Sequence, residues 1–248
     1  MATPTRAAAS PIENVGSGSI APASLDVNPT STVRLGGMSS NTPATIEPVP
    51  NHHASHPGFS GPSGLLAAVS FLFGRDDAAR LAIDLADLRS GDRLVDVGCG
   101  PGIASQRARR IGAEVIGVDP APIMLRVARA RWRSDDEVTW ASGTAESLPV
   151  DDGWATVVWS LSTVHHWADV DAGLDEARRV LAPDGRLVVL EHRIRDHAAT
   201  GHAGHGWTAE QADAFGALCR RYGFADVAVD DHPGGRGTTL SVVARRAA

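Results

Sequence analysis

The sequence lacks several features that mark specialised classes of protein. All 23 basic residues are arginine, which excludes any mechanism that depends on a lysine. The 248 residues include only two cysteines, which argues against a disulfide scaffold or a cysteine-based zinc site and favours a reducing cytoplasm. No apolar run approaches the length of a transmembrane helix, about 20 residues. A formal net charge of -6, without a long basic run, argues against nucleic acid as the main partner.

Composition divides the chain into a tail and a folded region. Residues 1–50 hold 7 of the 15 prolines and no Phe, Tyr or Trp, so we predict a disordered tail there. Met38 lies within this tail and offers an alternative start of translation. Residues 51–75 are expected to form an N-terminal cap segment with a short helix over its second half. Residues 76–248 are expected to form the main domain.

Strand and helix patterns alternate after residue 75. The first helix is predicted to start at Asp76 or Asp77 and to bury Leu81, Leu85 and Leu88. Further helices are predicted near residues 103–111, before 132, over 169–181 and, opened by a capping box at Thr208, up to Gly223. Strands are predicted over residues 93–97, 114–118, 138–142, 155–160, 186–191, 226–229 and 239–244.

This alternation predicts an α/β fold with a doubly wound, mostly parallel sheet. The last two predicted strands have no helix between them. They should therefore form a C-terminal antiparallel hairpin.

A glycine-rich loop follows the first predicted strand. The chain runs from this strand through Gly98, Gly100 and Gly102 into a helix. Glycine allows a ligand to approach the backbone closely, and a helix N-terminus adds a positive dipole end. A dinucleotide site favours Gly-x-Gly-x-x-Gly facing a pyrophosphate, but the spacing here is Gly-x-Gly-x-Gly and Ile103 occupies the position of the third glycine.

Two carboxylates extend the pattern. Asp96 lies two residues before the loop, where it would repel a pyrophosphate and suits an ammonium group. Asp119 ends the next strand, where acidic residues of such folds accept hydrogen bonds from ribose hydroxyls. Together they indicate a site for a nucleoside joined to an amino acid. The simpler interpretation, a structural turn with one carboxylate capping a helix and the other facing solvent, is less favoured by the joint pattern.

These residues resemble a known family. Residues 95–102 resemble the first motif of class I S-adenosylmethionine-dependent methyltransferases, and they are most similar to the type 11 group, which includes quinone-biosynthesis C-methyltransferases. Residues 115–119, 143–149, 164–167 and 178–185 resemble later segments of the family. The resemblance covers about residues 80–245 and implies a Rossmann-like sheet of seven strands. The cofactor-binding residues that it implies are Asp96, Gly98, Cys99, Gly100, Gly102, Asp119, Pro120, Thr144, Ala145 and Ser160.

Two positions depart from the family pattern. Thr144 replaces the aspartate that bonds the adenine amino group, and a threonine hydroxyl accepts that bond more weakly. Ala155 and Thr156 replace a Phe-Asp pair on the fourth strand.

Histidines after the fourth strand are the candidate catalytic residues. His165 and His166 are expected beside the methionine end of the cofactor, where an imidazole acts as a base if the acceptor must lose a proton. Glu191 and His192 end the fifth predicted strand. Residues 201–207 are expected to form a lid.

The remaining aromatic and histidine residues give two further expectations. Trp207 is the tryptophan expected near the substrate. His52, His53 and His56 are expected to cover the pocket. Together with His165 and His166 they raise the question of a metal site, but a His-His-x-x-His loop has no fixed geometry and no acidic partner has matching spacing, so we expect no metal.

The sequence predicts a cytoplasmic enzyme that transfers a methyl group from S-adenosylmethionine to a small-molecule acceptor. Two alternatives remain open. A nicotinamide-dependent oxidoreductase is disfavoured by Ile103 and Asp96, and a non-catalytic module that binds S-adenosylmethionine shares the same motifs. The acceptor, the atom that receives the methyl group and the oligomeric state do not follow from the sequence.

Overall fold

We describe a computed structural model of the chain over residues 76–132, 138–195, 205–235 and 237–248. The predicted tail with Met38 and the predicted cap segment with its short helix lie outside the described residues. So do His52, His53 and His56, and the first four residues of the predicted lid. No helix among the described residues is long and apolar enough to cross a membrane.

The described residues contain seven strands and five α-helices. The strands are Arg93–Val97 (β1), Glu114–Asp119 (β2), Val138–Ser142 (β3), Ala155–Leu161 (β4), Leu181–His192 (β5), Phe224–Gly234 (β6) and Gly237–Arg246 (β7). The α-helices are Asp76–Ala86 (α1), Ile103–Ile111 (α2), Pro122–Arg131 (α3), Val170–Val180 (α4) and Ala209–Arg221 (α5). The predicted capping box opens α5, because Thr208 and Gln211 satisfy each other's backbone N–H groups.

All seven strands form one sheet in the order β3-β2-β1-β4-β5-β7-β6. Strands β1 to β5 are parallel, and β7 is antiparallel to both of its neighbours. The predicted doubly wound sheet with its C-terminal antiparallel hairpin is therefore confirmed. The strand order reverses between β1 and β4, and in such sheets ligands bind at the carboxyl ends of the strands near that point.

Apolar side chains cover both faces of the sheet. Val158 and Val189 join one buried cluster with α4 and α5. The alternate residues Trp159 and Val188 join a second cluster with α1. Successive strand residues point to opposite faces, so a sheet with helices on both sides buries nearly every position of its central strands.

Helix α1 buries its alanines more completely than two of the predicted leucines. Ala79, Ala82 and Ala86 are fully buried, whereas Leu81 and Leu85 are half-buried against the same cluster. Leu88, just after the helix, is buried as predicted. Small alanine side chains allow the helix to pack closely against its neighbours, and the prediction did not identify them because it gave more weight to the larger leucines.

The terminal hairpin is longer than predicted. The expected loop over residues 231–237 is largely strand, because β6 and β7 remain paired as far as Gly234 and Gly237. Pro233 lies on β6, the edge strand of the sheet, where a missing N–H donor costs no ladder hydrogen bond. Strand β5 also starts earlier than predicted, at Leu181 rather than Arg186.

A charged contact fixes the segment between β3 and β4 to helix α4. The Arg179 guanidinium donates to the Glu176 carboxylate and to the carbonyl oxygens of Leu148 and Val150. The Leu148 N–H donates to Glu176 Oε2 over 2.7 Å. The hydrogen bond from Arg179 holds the pKa of the Glu176 carboxyl below its usual range, and the Leu148 N–H acts in the same direction.

We expect Glu176→Gln to lower the free energy of unfolding by about 1 kcal/mol at neutral pH, because the charged hydrogen bonds to Arg179 are lost. A lowered pKa stabilises the fold fully above the unfolded-state glutamate pKa, about 4.3, and the contribution disappears as the pH falls through the folded-state value. Urea unfolding of both proteins at several pH values measures this. The exposed variant Glu114→Gln is the control, and equal stability of Glu176→Gln and wild type at pH 7 would contradict the assignment.

Candidate active site

The glycine loop uses its three glycines for different purposes. Gly98, Gly100 and Gly102 all have positive φ, at 73°, 54° and 80°. A Cβ on Gly98 would lie 2.6 Å from Thr163, and one on Gly102 would overlap the Trp140 ring. A Cβ on Gly100 would meet no atom within 4 Å. Two of the glycines are thus required by packing, whereas the third borders open space.

Asp119 holds the loop in this position. The Gly100 N–H donates to Asp119 Oδ2 over 2.8 Å, and the Ala121 N–H donates to Oδ1 over the same distance. The side chain is buried, so the interpretation of Asp119 as a solvent-exposed loop residue is wrong. A carboxylate oxygen has more than one lone pair, so these bonds still allow each oxygen to accept from a ligand hydroxyl.

Asp96 lies on the other side of the loop. Its carboxylate is buried and accepts a hydrogen bond from the Ser105 hydroxyl of α2 over 2.6 Å. A small cavity lies beside Asp96, and residues of both the glycine loop and the strand ends line it. The cavity is lined by Asp96, Gly98, Cys99, Pro101, Ile103, Ala104 and Leu161.

Ser160 and Thr163 join the ends of β4 and β1. The fully buried Ser160 hydroxyl is hydrogen-bonded to the Thr163 hydroxyl, which donates to the Val97 carbonyl oxygen over 3.0 Å. The Thr163 side chain also fills the space that Gly98 leaves open. Thr163 was not predicted as a site residue, and no local signal identifies it, because its importance comes from contacts with residues more than 60 positions away.

The other predicted cofactor residues follow β2 and β3. Cys99 is buried, and its N–H donates to the Val118 carbonyl oxygen. Pro120 is exposed directly after β2. Thr144 is exposed and pairs with Ser147 in a short turn, whereas Ala145 is buried in the core.

Thr156, which replaces an aspartate of the family pattern, lies at the opposite edge of the sheet. The Thr156 hydroxyl donates to Asp92 Oδ1 over 2.6 Å and accepts from the Arg93 N–H. Thr156 therefore belongs to the amino end of the strands and not to the edge that carries the glycine loop.

His165 and Glu191 form a buried pair at the carboxyl ends of β4 and β5. His165 Nδ1 lies 2.8 Å from Glu191 Oε2, and the Val164 N–H donates to Oε1 over 2.9 Å. Glu191 is completely buried. With Nδ1–H donating to the carboxylate, Nε2 is the nitrogen of His165 that carries a lone pair.

The structure brings a third histidine to this place. The rings of His165, His166 and His205 lie together, although 39 residues separate His166 from His205. This separation is the reason that the sequence does not predict the group. Trp207, expected beside the substrate, is instead buried in the core with its ring 5.0 Å from that of Phe215.

Comparison with known proteins agrees with this geometry. A family model described as a methyltransferase domain matches residues 95–189. The chain is 40% identical over 115 residues to the demethylmenaquinone methyltransferase of Thermus thermophilus, covering 45% of this chain and 52% of that protein. It is 38% identical over 102 residues to the ubiquinone biosynthesis O-methyltransferase of Azorhizobium caulinodans, covering 40% of each.

The chain spans about half the length of the first curated relatives that it matches. Its fold is similar to that of a SAM-dependent methyltransferase from Aquifex aeolicus, with a TM-score of 0.61 and 15% identity over 73% of this chain and 97% of that one. Residues 95–189 therefore match a methyltransferase domain, and this match supports the resemblance to class I S-adenosylmethionine-dependent methyltransferases of the type 11 group that the sequence motifs indicated.

Proposed function

We propose that the protein transfers a methyl group from S-adenosylmethionine to a small-molecule acceptor. The observation that carries this proposal is the open space at Gly100, which lies between two buried carboxylates at the ends of neighbouring strands. Strands β1 to β7 form one sheet that extends beyond the family match at both ends. We therefore assign the whole of residues 76–248 to the methyltransferase domain.

The residues at this edge fit the chemistry of S-adenosylmethionine. Asp119 is placed to accept hydrogen bonds from ribose hydroxyls, and Asp96 supplies negative charge for the ammonium group. Pro120, Thr144 and Ala145 follow β2 and β3, where we place the adenine. A dinucleotide fits less well, because Asp96 would repel its pyrophosphate.

S-adenosylmethionine, when bound, supplies a methyl group already activated by a sulfonium. The chain mainly has to hold donor and acceptor in line and exclude water, and such positioning contributes up to about 7–11 kcal/mol. The hydrogen bonds from Gly100 to Asp119 and from Thr163 to Val97 keep the donor side fixed before any ligand arrives.

The acceptor side lies at the histidines. Thr163 contacts the glycine loop, and His165 follows two residues later, so both sides of the reaction meet in one short segment. Of His165 and His166, the first has its ring oriented by Glu191 and is the one that we assign as proton acceptor, when the acceptor molecule must lose a proton.

The named relatives support a quinone-like acceptor, because one is named for the methylation of demethylmenaquinone and the other for O-methylation in ubiquinone biosynthesis. We also propose a cytoplasmic location, which the two buried cysteines support because neither is in a disulfide.

Equilibrium binding of S-adenosylmethionine and of NAD, followed by transfer of label from methyl-labelled S-adenosylmethionine, tests the proposal. We expect S-adenosylmethionine to bind more tightly and the label to enter a demethylated quinol or a component of a metabolite extract. Tighter binding of NAD would refute the proposal in favour of an oxidoreductase. Binding without transfer to any acceptor would favour the non-catalytic module.

The open space at Gly100 predicts that adding a single methyl group at this residue weakens cofactor binding. Gly100→Ala should weaken S-adenosylmethionine binding at least about tenfold, or 1.4 kcal/mol, because the new Cβ would occupy the space of the cofactor. Gly153→Ala is the matched control, since Gly153 also has positive φ and a Cβ there would likewise meet no atom within 4 Å, yet this residue lies at the opposite edge. Calorimetry should show a loss for Gly100→Ala alone, and equal affinities would contradict the assignment.

Asp119→Ala should weaken S-adenosylmethionine binding by about 1–3 kcal/mol, because hydrogen bonds to a charged group are lost. Isothermal titration of the variant measures this loss, and thermal unfolding without ligand reports any damage to the fold. Asp213→Ala, at an exposed position on α5, is the control. Unchanged affinity in a folded Asp119→Ala protein would remove the ribose assignment.

A further inference from the structure

Three histidines from two separate segments meet at the carboxyl end of the sheet. His165 and His166 lie in the short 3-10 turn after β4, and His205 lies just before α5. Their ring centroids are 4.1 Å apart for His165 and His166, and 5.5 Å apart for each pair with His205. One nitrogen from each ring lies within 4.8 Å of the other two. Three protonated rings at this separation would repel one another, whereas a single bound cation would be attracted to all three nitrogens.

Glu191 orients the most buried of these rings. Its carboxylate accepts from His165 Nδ1–H and from the Val164 N–H, so the tautomer of His165 leaves the Nε2 lone pair directed away from Glu191. A metal-binding histidine typically donates its second N–H to a carboxylate in this way, which fixes the ring and raises its basicity as a ligand. The pair therefore has the outer-shell arrangement of a metal site.

The approach of His205 to the other two rings is fixed by the backbone. The Trp207 N–H donates to the His192 carbonyl oxygen over 2.9 Å, and the Ile194 N–H donates to the Trp207 carbonyl oxygen over 2.8 Å. Gly206, between His205 and this bridge, has φ of 138°, and a Cβ there would overlap the His192 carbonyl oxygen. A glycine is thus required for the chain to pass β5 closely enough to bring His205 to the cluster.

We propose that His165, His166 and His205 bind a divalent transition-metal ion of the zinc class. Imidazole nitrogens suit zinc, and three protein ligands leave a fourth position open, as in catalytic zinc sites. Zn–N bonds of about 2.0–2.1 Å place tetrahedral ligand atoms about 3.3 Å apart, so the three nitrogens must approach one another by no more than about 1.5 Å for zinc to bind. This site replaces the sequence-based expectation that the protein holds no metal.

The metal site rests on the proposed function in one respect only. If the protein is a methyltransferase, the fourth position is available to an oxygen of the acceptor, and the ion competes with a proton for the Nε2 lone pair of His165. The ion would then take the place of His165 as the group that favours the deprotonated acceptor.

Titration of the chelator-treated full-length chain with zinc chloride tests the site. We expect one equivalent of zinc to bind at the cluster. His205→Ala should lower the zinc affinity at least about tenfold, because the loss of an outer-shell partner already lowers metal affinity by that factor and the loss of a direct ligand should lower it at least as much. Cobalt(II) added instead of zinc should give the visible absorption of a tetrahedral site in the wild type and not in the variant. His232→Ala is the matched control, since His232 lies on β6 and bonds Ser241.

Thermal unfolding establishes whether each variant folds. If His205→Ala does not fold, His166→Gln serves as the second variant. Absence of zinc binding in the wild type, or equal zinc affinity in a folded variant of the cluster, would overturn the proposal. S-adenosylmethionine binding is measured on the same samples. Its loss alongside intact zinc binding would refute the proposed function alone, and the reverse result would refute the metal site alone.

Discussion

The hydrogen bond from the Gly100 amide to the Asp119 carboxylate is the contact on which the site depends. It joins the loop after β1 to the end of β2 and holds the loop at positive φ, beside open space. Without it, three glycines at alternate positions would leave the turn with high conformational freedom. Asp119 thus has a structural role in addition to the ribose-binding role that we propose for it, and burial strengthens its hydrogen bonds because competing water is excluded.

The same edge of the sheet carries a further buried carboxylate, Glu191, that also accepts hydrogen bonds from backbone N–H groups. Glu191 accepts from two backbone N–H groups and from the His165 ring, and so it converts a turn after β4 into a rigid support for an imidazole. Buried carboxylates are costly unless hydrogen bonds surround them. At the ends of β2 and β5 these hydrogen bonds come from backbone N–H groups and from the His165 ring.

Sequence patterns predicted the strands, the sheet and the position of Asp96 and Asp119 at the ends of neighbouring strands, because each of these features leaves a local signal. Buried parallel strands are continuous apolar runs, and Asp96 and Asp119 stand at fixed distances from them. The buried alanines of α1 were not predicted, since the larger leucines carried more weight in the pattern. Thr163, His205 and the core position of Trp207 depend on contacts between distant segments, and spacing along the chain contains no information about them.

Thr163 and His165 are two residues apart in the sequence, yet their side chains bond to different strands. The Thr163 hydroxyl donates to the end of β1, and the His165 ring pairs with Glu191 at the end of β5. Thr163 is fixed by Gly98, Ser160 and the Val97 carbonyl oxygen, so few other side chains would be accommodated there. The turn beyond it packs instead on Glu191 and His205. If the proposed function holds, substitutions at His166 or His205 would change the acceptor side while the contacts of Thr163 with the glycine loop stay intact.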